Sequence, residues 1–269
     1  MKKILYFLLL AGLCNAALAQ DEMDGNQPQD TSWKSIWRGS ATKINDIVHT
    51  KLEVSFDFDK SYLYGKEWLT LKPYFYNTDS VTLDAKGMDI KEVSLVQGAK
   101  KTPLKYDYDG MILRVTLNKT YSNSEKYTLY FDYVSKPNDL KVKGSAAISD
   151  AKGLYFINPK GEEKNKPTQV WTQGETEANS AWMVTIDKPN QKSTQEIYMR
   201  VPDKYVTLSN GLLASQKKNA DGTRTDYWKM DLPEAPYLFF MGIGDYAVVK
   251  DSYKGKEVSY YVEKKYEPV

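Results

Sequence analysis

The run KLEVSFDFD puts Leu52, Val54, Phe56 and Phe58 on one side of an extended chain and mostly charged residues on the other. A period of two commits this backbone to a strand with one buried face, because successive side chains alternate across the pleat. The same rhythm returns in SYLYGKEWLTLKPYFY, where Gly65 is read as a turn, and in SVTLDAKGMDIKEVSLV, MILRVTLN and KYTLYFDYVSKP. Turn signals about every 10 residues favour antiparallel pairing. Asn210-Gly211 is a further strong turn of the hairpin type. No long helical pattern and no internal repeat competes. The expected fold is all-β, a saddle-like or sandwich arrangement of mostly antiparallel sheets. A short irregular segment is expected near 171–190, where WTQGETEANSAWMVTIDKP breaks the alternation.

The amino end is of a different kind. Lys2 and Lys3 precede an apolar stretch, Ile4 to Leu13, that is short for a bilayer span, and Ala17-Leu18-Ala19 is a small-residue cleavage pattern. Residues 1–19 are therefore expected to be a secretory signal peptide, and the mature chain periplasmic or extracellular. Lipidation at Cys14 is not expected, because bulky Leu13 stands where a small residue is needed. Residues 20–37 are polar and read as a flexible leader, with the fold beginning near Trp37. The remaining organisation is read as a β domain over 38–255 and the start of a connection over 256–269. No second apolar segment reaches membrane-spanning length.

Charge and residue supply exclude several chemistries. Loss of the signal removes two lysines and no acid, which leaves 35 basic and 35 acidic residues. A neutral chain gives no electrostatic case for nucleic acid or an anionic membrane. Cys14 is the only cysteine and His49 the only histidine. A zinc site needs three or four N, S or O ligands, so a metal site in this chain is not expected, and His49 is read as a surface strand residue. No G-x-S-x-G elbow, phosphate loop or dinucleotide fingerprint occurs. The 21 tyrosines and 6 tryptophans suit strands, and they equally suit a glycan-binding face.

Four pieces in order carry a resemblance: Thr172-Gln173-Gly174-Glu175, then Asp187-Lys188-Pro189, then TQEIYMRVPDKYVTLSNGLL, then YWKMDLPEAPYLFFMGIGDYAVV. Together they resemble the amino-terminal β domain of gluzincin zinc aminopeptidases, the membrane alanyl aminopeptidase and leukotriene hydrolase type, over roughly Ile47 to Val262. The resemblance implies that Glu175 binds the α-ammonium of a peptide amino terminus and that Gln173 lines the pocket for the first side chain. A carboxylate is the natural partner of a protonated amine. Gly174 would admit backbone near substrate, and Glu177 is read as a solvated acid. An arginine that the family often carries soon after Q-x-E is absent from TEANSAW.

The family's H-E-x-x-H zinc motif and G-x-M-E-N exopeptidase motif are also absent. The implied protein is the amino-terminal, cleft-forming domain of an exported zinc aminopeptidase. Its zinc would be held by a catalytic domain that follows covalently and is missing here, so this chain alone is expected to be inactive. An interface for that domain is expected to lie exposed near Trp171 to Trp182 and at the carboxyl end. Two other readings stay open on the residues alone. One is a non-enzymatic exported β-sandwich module that binds glycan or protein. The other is a glycosidase built on a carboxylate pair.

Overall fold

The computed structural model describes residues 39–142 and 150–268. The expected signal peptide, the leader, Trp37 and Gly144 lie outside the described residues. Ala41–Val269 group as one unit. From its amino end the chain forms β1 (Asn45–Asp57), β2 (Tyr62–Pro73), β3 (Thr78–Asp84), β4 (Met88–Gln97), β5 (Lys100–Pro103), β6 (Tyr106–Tyr108), β7 (Ile112–Tyr121) and β8 (Tyr127–Ser135). It continues as β9 (Leu154–Ile157), β10 (Gln169–Thr172), β11 (Ser193–Pro202), β12 (Val206–Ser209), β13 (Leu212–Lys218), β14 (Thr223–Glu234), β15 (Met241–Gly244), β16 (Tyr246–Tyr253) and β17 (Lys256–Glu263). The described residues are all-β apart from short 3-10 turns, and no helix among them is long and apolar enough to cross a membrane.

An eight-stranded sheet runs in the order β13-β14-β11-β1-β2-β8-β4-β5. Its pairs are antiparallel except β1 with β11, which are parallel. A three-stranded sheet, β3-β7-β6, and a four-stranded sheet, β12-β15-β10-β9, accompany it. The alternating apolar residues behave as their period demands. Leu52 and Val54 of β1, Leu69 and Leu71 of β2, and Leu129 and Phe131 of β8 share one core with Leu83 and Leu113 of the three-stranded sheet and Val170 and Ile243 of the four-stranded one. Burying each such side chain is worth about 1.5–3 kcal/mol. β16 and β17 pair only with each other, with the boundary near 255 falling in their turn. They carry exposed Val249, Tyr253 and Tyr260.

Two turn expectations are corrected. Gly65 lies inside β2, opposite Val54 and Tyr133. The turn is earlier, where Asp57 Oδ1 accepts the Lys60 N–H at 3.0 Å. Gly65 is needed for space: a Cβ there would stand 2.4 Å from Cζ of Tyr133. Asn210-Gly211 does turn, with Gly211 at φ +80°, but it closes no hairpin. β12 pairs with β15 in the four-stranded sheet and β13 pairs with β14 in the eight-stranded one. The dipeptide is a corner at which the chain changes sheets.

Candidate functional site

Between β10 and β11, from Gln173 to Lys192, no strand forms. The sequence GETEANS offers no apolar alternation to build one. The segment is nevertheless mostly buried, from Ala178 through Thr185 without a break. Its backbone groups must then find partners inside the protein. Side chains and neighbouring loops supply them. The Ser180 N–H donates to Asp187 Oδ2 at 2.9 Å, and the Val184 N–H donates to Glu67 Oε2 at 2.8 Å. Tyr133 Oη donates to the Trp182 carbonyl at 2.9 Å, and Ser135 Oγ donates to the Ala181 carbonyl at 2.7 Å. A single bridge, Thr185 with Asp84, ties the segment to β3.

Asn179 is the hub. It is 0% exposed, its Nδ2 donates to the carbonyls of Pro236 (2.7 Å) and Phe239 (2.9 Å), and its Oδ1 accepts from Trp182 Nε1 (2.8 Å). One amide thus locks the turn after Glu175 to the segment joining β14 and β15. A carboxamide does this with no charge to bury, which accounts for Asn in the stretch where an arginine is absent. Gly174 belongs to the same joint. A Cβ there would lie 2.2 Å from the Tyr237 carbonyl oxygen and 2.6 Å from Asn179 Nδ2. Its smallness therefore serves packing inside the protein.

The acids beneath the segment are shifted by burial. Glu67 is fully buried; desolvation pushes its carboxyl up to about 8, against the opposing hydrogen bonds from Val184 and Tyr133. Its Oε1 has no partner among the described residues. Burial, then Glu67 itself, raises the Tyr133 phenol well above its usual range. Asp187 of the D-x-P tripeptide is pushed up to about 6 by burial, offset in part by the Ser180 N–H. The sequence reading missed Glu67, although a signal was present. It shares the inward parity of Leu63, Leu69 and Leu71 in β2, and an acid on a core face is an anomaly.

Only the rim of this segment meets solvent. Gln173 is half-buried, and Glu175 and Thr176 are exposed. Gln173 is anchored through its backbone N–H, which donates to the Gly153 carbonyl at 2.9 Å. Among the described residues, neither the Gln173 amide nor the Glu175 carboxylate has a hydrogen-bond or ion-pair partner. Two positions before Gln173, Trp171 stacks on Tyr155 with ring centroids 4.6 Å apart. The chain thus presents an acid and an amide, two residues apart, without partners among the described residues. Glu177 differs from both. Its side chain is 39% exposed, as a solvated acid should be, but it is ion-paired with Lys188, and its carbonyl accepts from Lys86 Nζ.

The expected apolar interface near Trp171 to Trp182 is also corrected. Trp182 is 0% exposed and belongs to the core, whereas exposed apolar residues do occur at the carboxyl end. His49 lies on β1, its Nδ1 2.7 Å from Thr194 Oγ1 and its Nε2 3.6 Å from Glu196. Burial lowers its pKa, opposed by Glu196. One imidazole beside one carboxylate does not fit a zinc ion, and no group of three or more His, Cys, Asp or Glu suited to a metal occurs among the described residues.

Comparison with known proteins bears on the fold and the family. Leucine aminopeptidase 2 of Vanderwaltozyma polyspora is 23% identical over 199 residues, covering 74% of this chain and 28% of that protein. Aminopeptidase B of Rattus norvegicus is 22% identical over 142 residues, covering 53% and 19%. Among solved structures, a variant of a two-domain M1 zinc metallopeptidase bound to L-arginine superposes with a TM-score of 0.68 at 16% identity, over 84% of this chain and 49% of that one. The M1 zinc metallopeptidase from Deinococcus radiodurans gives 0.66 at 16% identity, over 84% and 48%. The chain thus spans about half of these solved relatives and under a third of the curated ones. Residues 47–238 match the Peptidase M1 N-terminal domain, and the chain belongs to that family.

Proposed function

We propose that this chain forms one wall of the substrate cleft of an exported zinc aminopeptidase, with Glu175 receiving the α-ammonium of a peptide and Gln173 lining the pocket for its first side chain. One observation carries the reading. At the solvent-facing start of an otherwise largely buried segment, the side chains of Gln173 and Glu175 bond nothing among the described residues. The backbone beside them is tied down, with the Gln173 N–H donating to the Gly153 carbonyl and the Ala178 N–H to the Gly174 carbonyl. A carboxylate there can accept an ammonium, and fixing the amine places the peptide bond beyond it.

The zinc, which would supply Lewis-acid activation of the peptide carbonyl, belongs in this reading to a catalytic domain that follows. The solved relatives, about twice as long, support such a domain, as do the exposed apolar residues of β16 and β17. Export rests on the signal-like residues 1–19. The test is to read the coding frame beyond Val269 and assay the longer protein. It should contain H-E-x-x-H, bind zinc and release residues from free-amine peptides but not from N-acetylated ones. The present chain alone should release none. Equal cleavage of blocked peptides, or activity in this chain alone, would overturn the proposal.

A further inference from the structure

Away from the Gln173–Lys192 segment, the outward face of the eight-stranded sheet holds a trough of about 610 Å³ lined from β13 at one edge across to β4. Its floor is the middle of a fully paired sheet, so backbone groups there are consumed by the ladders. Side chains are what it offers. Tyr227 supplies a ring face, whereas Tyr198 is held between Tyr227 and Lys51, and Lys91 lies over Tyr64; Ser55, Thr225 and Asn219 supply hydroxyl and amide groups. Tyr198 and Tyr227 stack at 4.3 Å and 3° between ring planes. Tyr227 has only the small Ser215 opposite it on β13. The stack is therefore rigid on one side and uncrowded on the other.

Charge selects among possible occupants. Glu53 is taken by Lys51 at 2.9 Å and Asp132 by Lys91 at 3.8 Å. Lys66 lies directly opposite Glu53 and Asp132 across the ladders, and Arg200 is held by Asp221. That leaves Lys217 in the lining with no ion pair among the described residues. The trough thus joins a tyrosine face, hydroxyl-bonding groups and an unpaired lysine. A sugar ring matches the first two and a carboxylate on it the third. An extended peptide is served less well, because peptide recognition on sheets relies on free edge backbone, and this floor has none.

We propose that the outer face of the eight-stranded sheet binds an acidic oligosaccharide near its β13–β14 edge, a uronate-type sugar laid against Tyr227 with its carboxylate toward Lys217. This site is separate from the Glu175 rim and does not depend on the peptidase reading. The experiment is affinity electrophoresis of the full chain through gels containing polygalacturonate, neutral dextran or poly-L-glutamate. Polygalacturonate should retard the chain, and added salt should relieve the retardation. Dextran should not retard it, and poly-L-glutamate should do so at least tenfold more weakly. Tyr227→Ala should weaken polygalacturonate binding at least fivefold. Lys217→Glu, on an edge strand whose residues are all exposed, should weaken it at least as much. No retardation by polygalacturonate would overturn the proposal, as would equal retardation by poly-L-glutamate or by dextran, or variants that bind like the parent.

Discussion

In the middle of the eight-stranded sheet, Leu69 lies between Thr50 on β1 and Leu129 on β8, and its neighbours on either side continue the same ladders. In the Gln173–Lys192 segment, Val184 is equally inaccessible, yet its N–H depends on one carboxylate oxygen of Glu67. Both regions satisfy their buried backbone, by different means. The sheet does so redundantly, through bonds that any side chain leaves in place. The segment does so through particular side chains: Asn179, Asp187, Glu67, Tyr133 and Ser135. A loop shaped in this way can hold an irregular backbone beside Gln173 and Glu175, at the cost of sensitivity to single substitutions.

The sharpest way to break that comparison is to delete the hub. Asn179→Ala strands two carbonyls and an indole N–H, each worth about 1–3 kcal/mol when buried without a partner. The expected loss is roughly 3–5 kcal/mol, or about 6–20 °C in Tm for a chain of this size. Chemical denaturation with a matched thermal melt measures it. A loss under about 1 kcal/mol would mean that the segment does not rely on its side-chain bonds.

The next effect is smaller and depends on pH. Glu67 holds its proton to about 8 in the folded chain and releases it near its ordinary range, about 4.3, when unfolded. Between those values the folded state binds more protons than the unfolded one, so stability falls as pH rises and levels off above about 8. Asp187 and Glu234, raised to about 6 and about 7 by burial, complete most of their contribution by neutral pH. From pH 7 to 9 the parent should therefore lose about 1 kcal/mol through Glu67. Glu67→Gln, which keeps an acceptor for Val184 and Tyr133 and cannot ionise, should lose little over the same interval. Equal slopes in the two proteins would place the titration elsewhere.

The smallest effect belongs to the sheet. Thr70 and Thr128 share a hydrogen bond of 2.9 Å on its outward face, and Thr70→Ala removes it while leaving every ladder bond intact. The expected loss is under about 1 kcal/mol. A loss as large as that of Asn179→Ala would erase the distinction between the two regions.

The same difference decides what could be read in advance. Parity is local, so the alternation in KLEVSFDFD and its counterparts placed the strands and their buried faces, and its failure in TQGETEANS marked the irregular segment. What holds that segment comes from far along the chain. Gly65 reads locally as a turn; its reason is the ring of Tyr133, brought alongside by strand pairing. Asn210-Gly211 reads as a hairpin because the dipeptide encodes a bend and not which sheet each flanking strand joins. Glu177 could not be told from Glu175 by spacing or composition, only by the resemblance. In the structure they part where the fold swings Lys188 back onto one of them. Gln173 and Glu175 themselves stood out through ordered resemblance, with spacing alone too common to single them out.

The most direct test of the central claim, that Glu175 faces a ligand while its neighbours hold the fold, is a paired measurement on the complete protein. kcat/KM on a free-amine peptide and Tm are determined for Glu175→Gln and Glu177→Gln. Removing one partner of a desolvated charge pair costs about 2–5 kcal/mol, and a partly solvated ammonium falls at the low end. Glu175→Gln should thus lower kcat/KM by roughly tenfold or more, since each ~1.4 kcal/mol is a factor of ten. Its Tm should stay within about 1 °C of the parent, because no bond within the fold is lost. Glu177→Gln, which gives up only a half-exposed ion pair with Lys188, should change kcat/KM little and Tm by a degree or two at most. Equal, small kinetic effects from both variants, or a large fall in Tm from Glu175→Gln, would contradict the assignment.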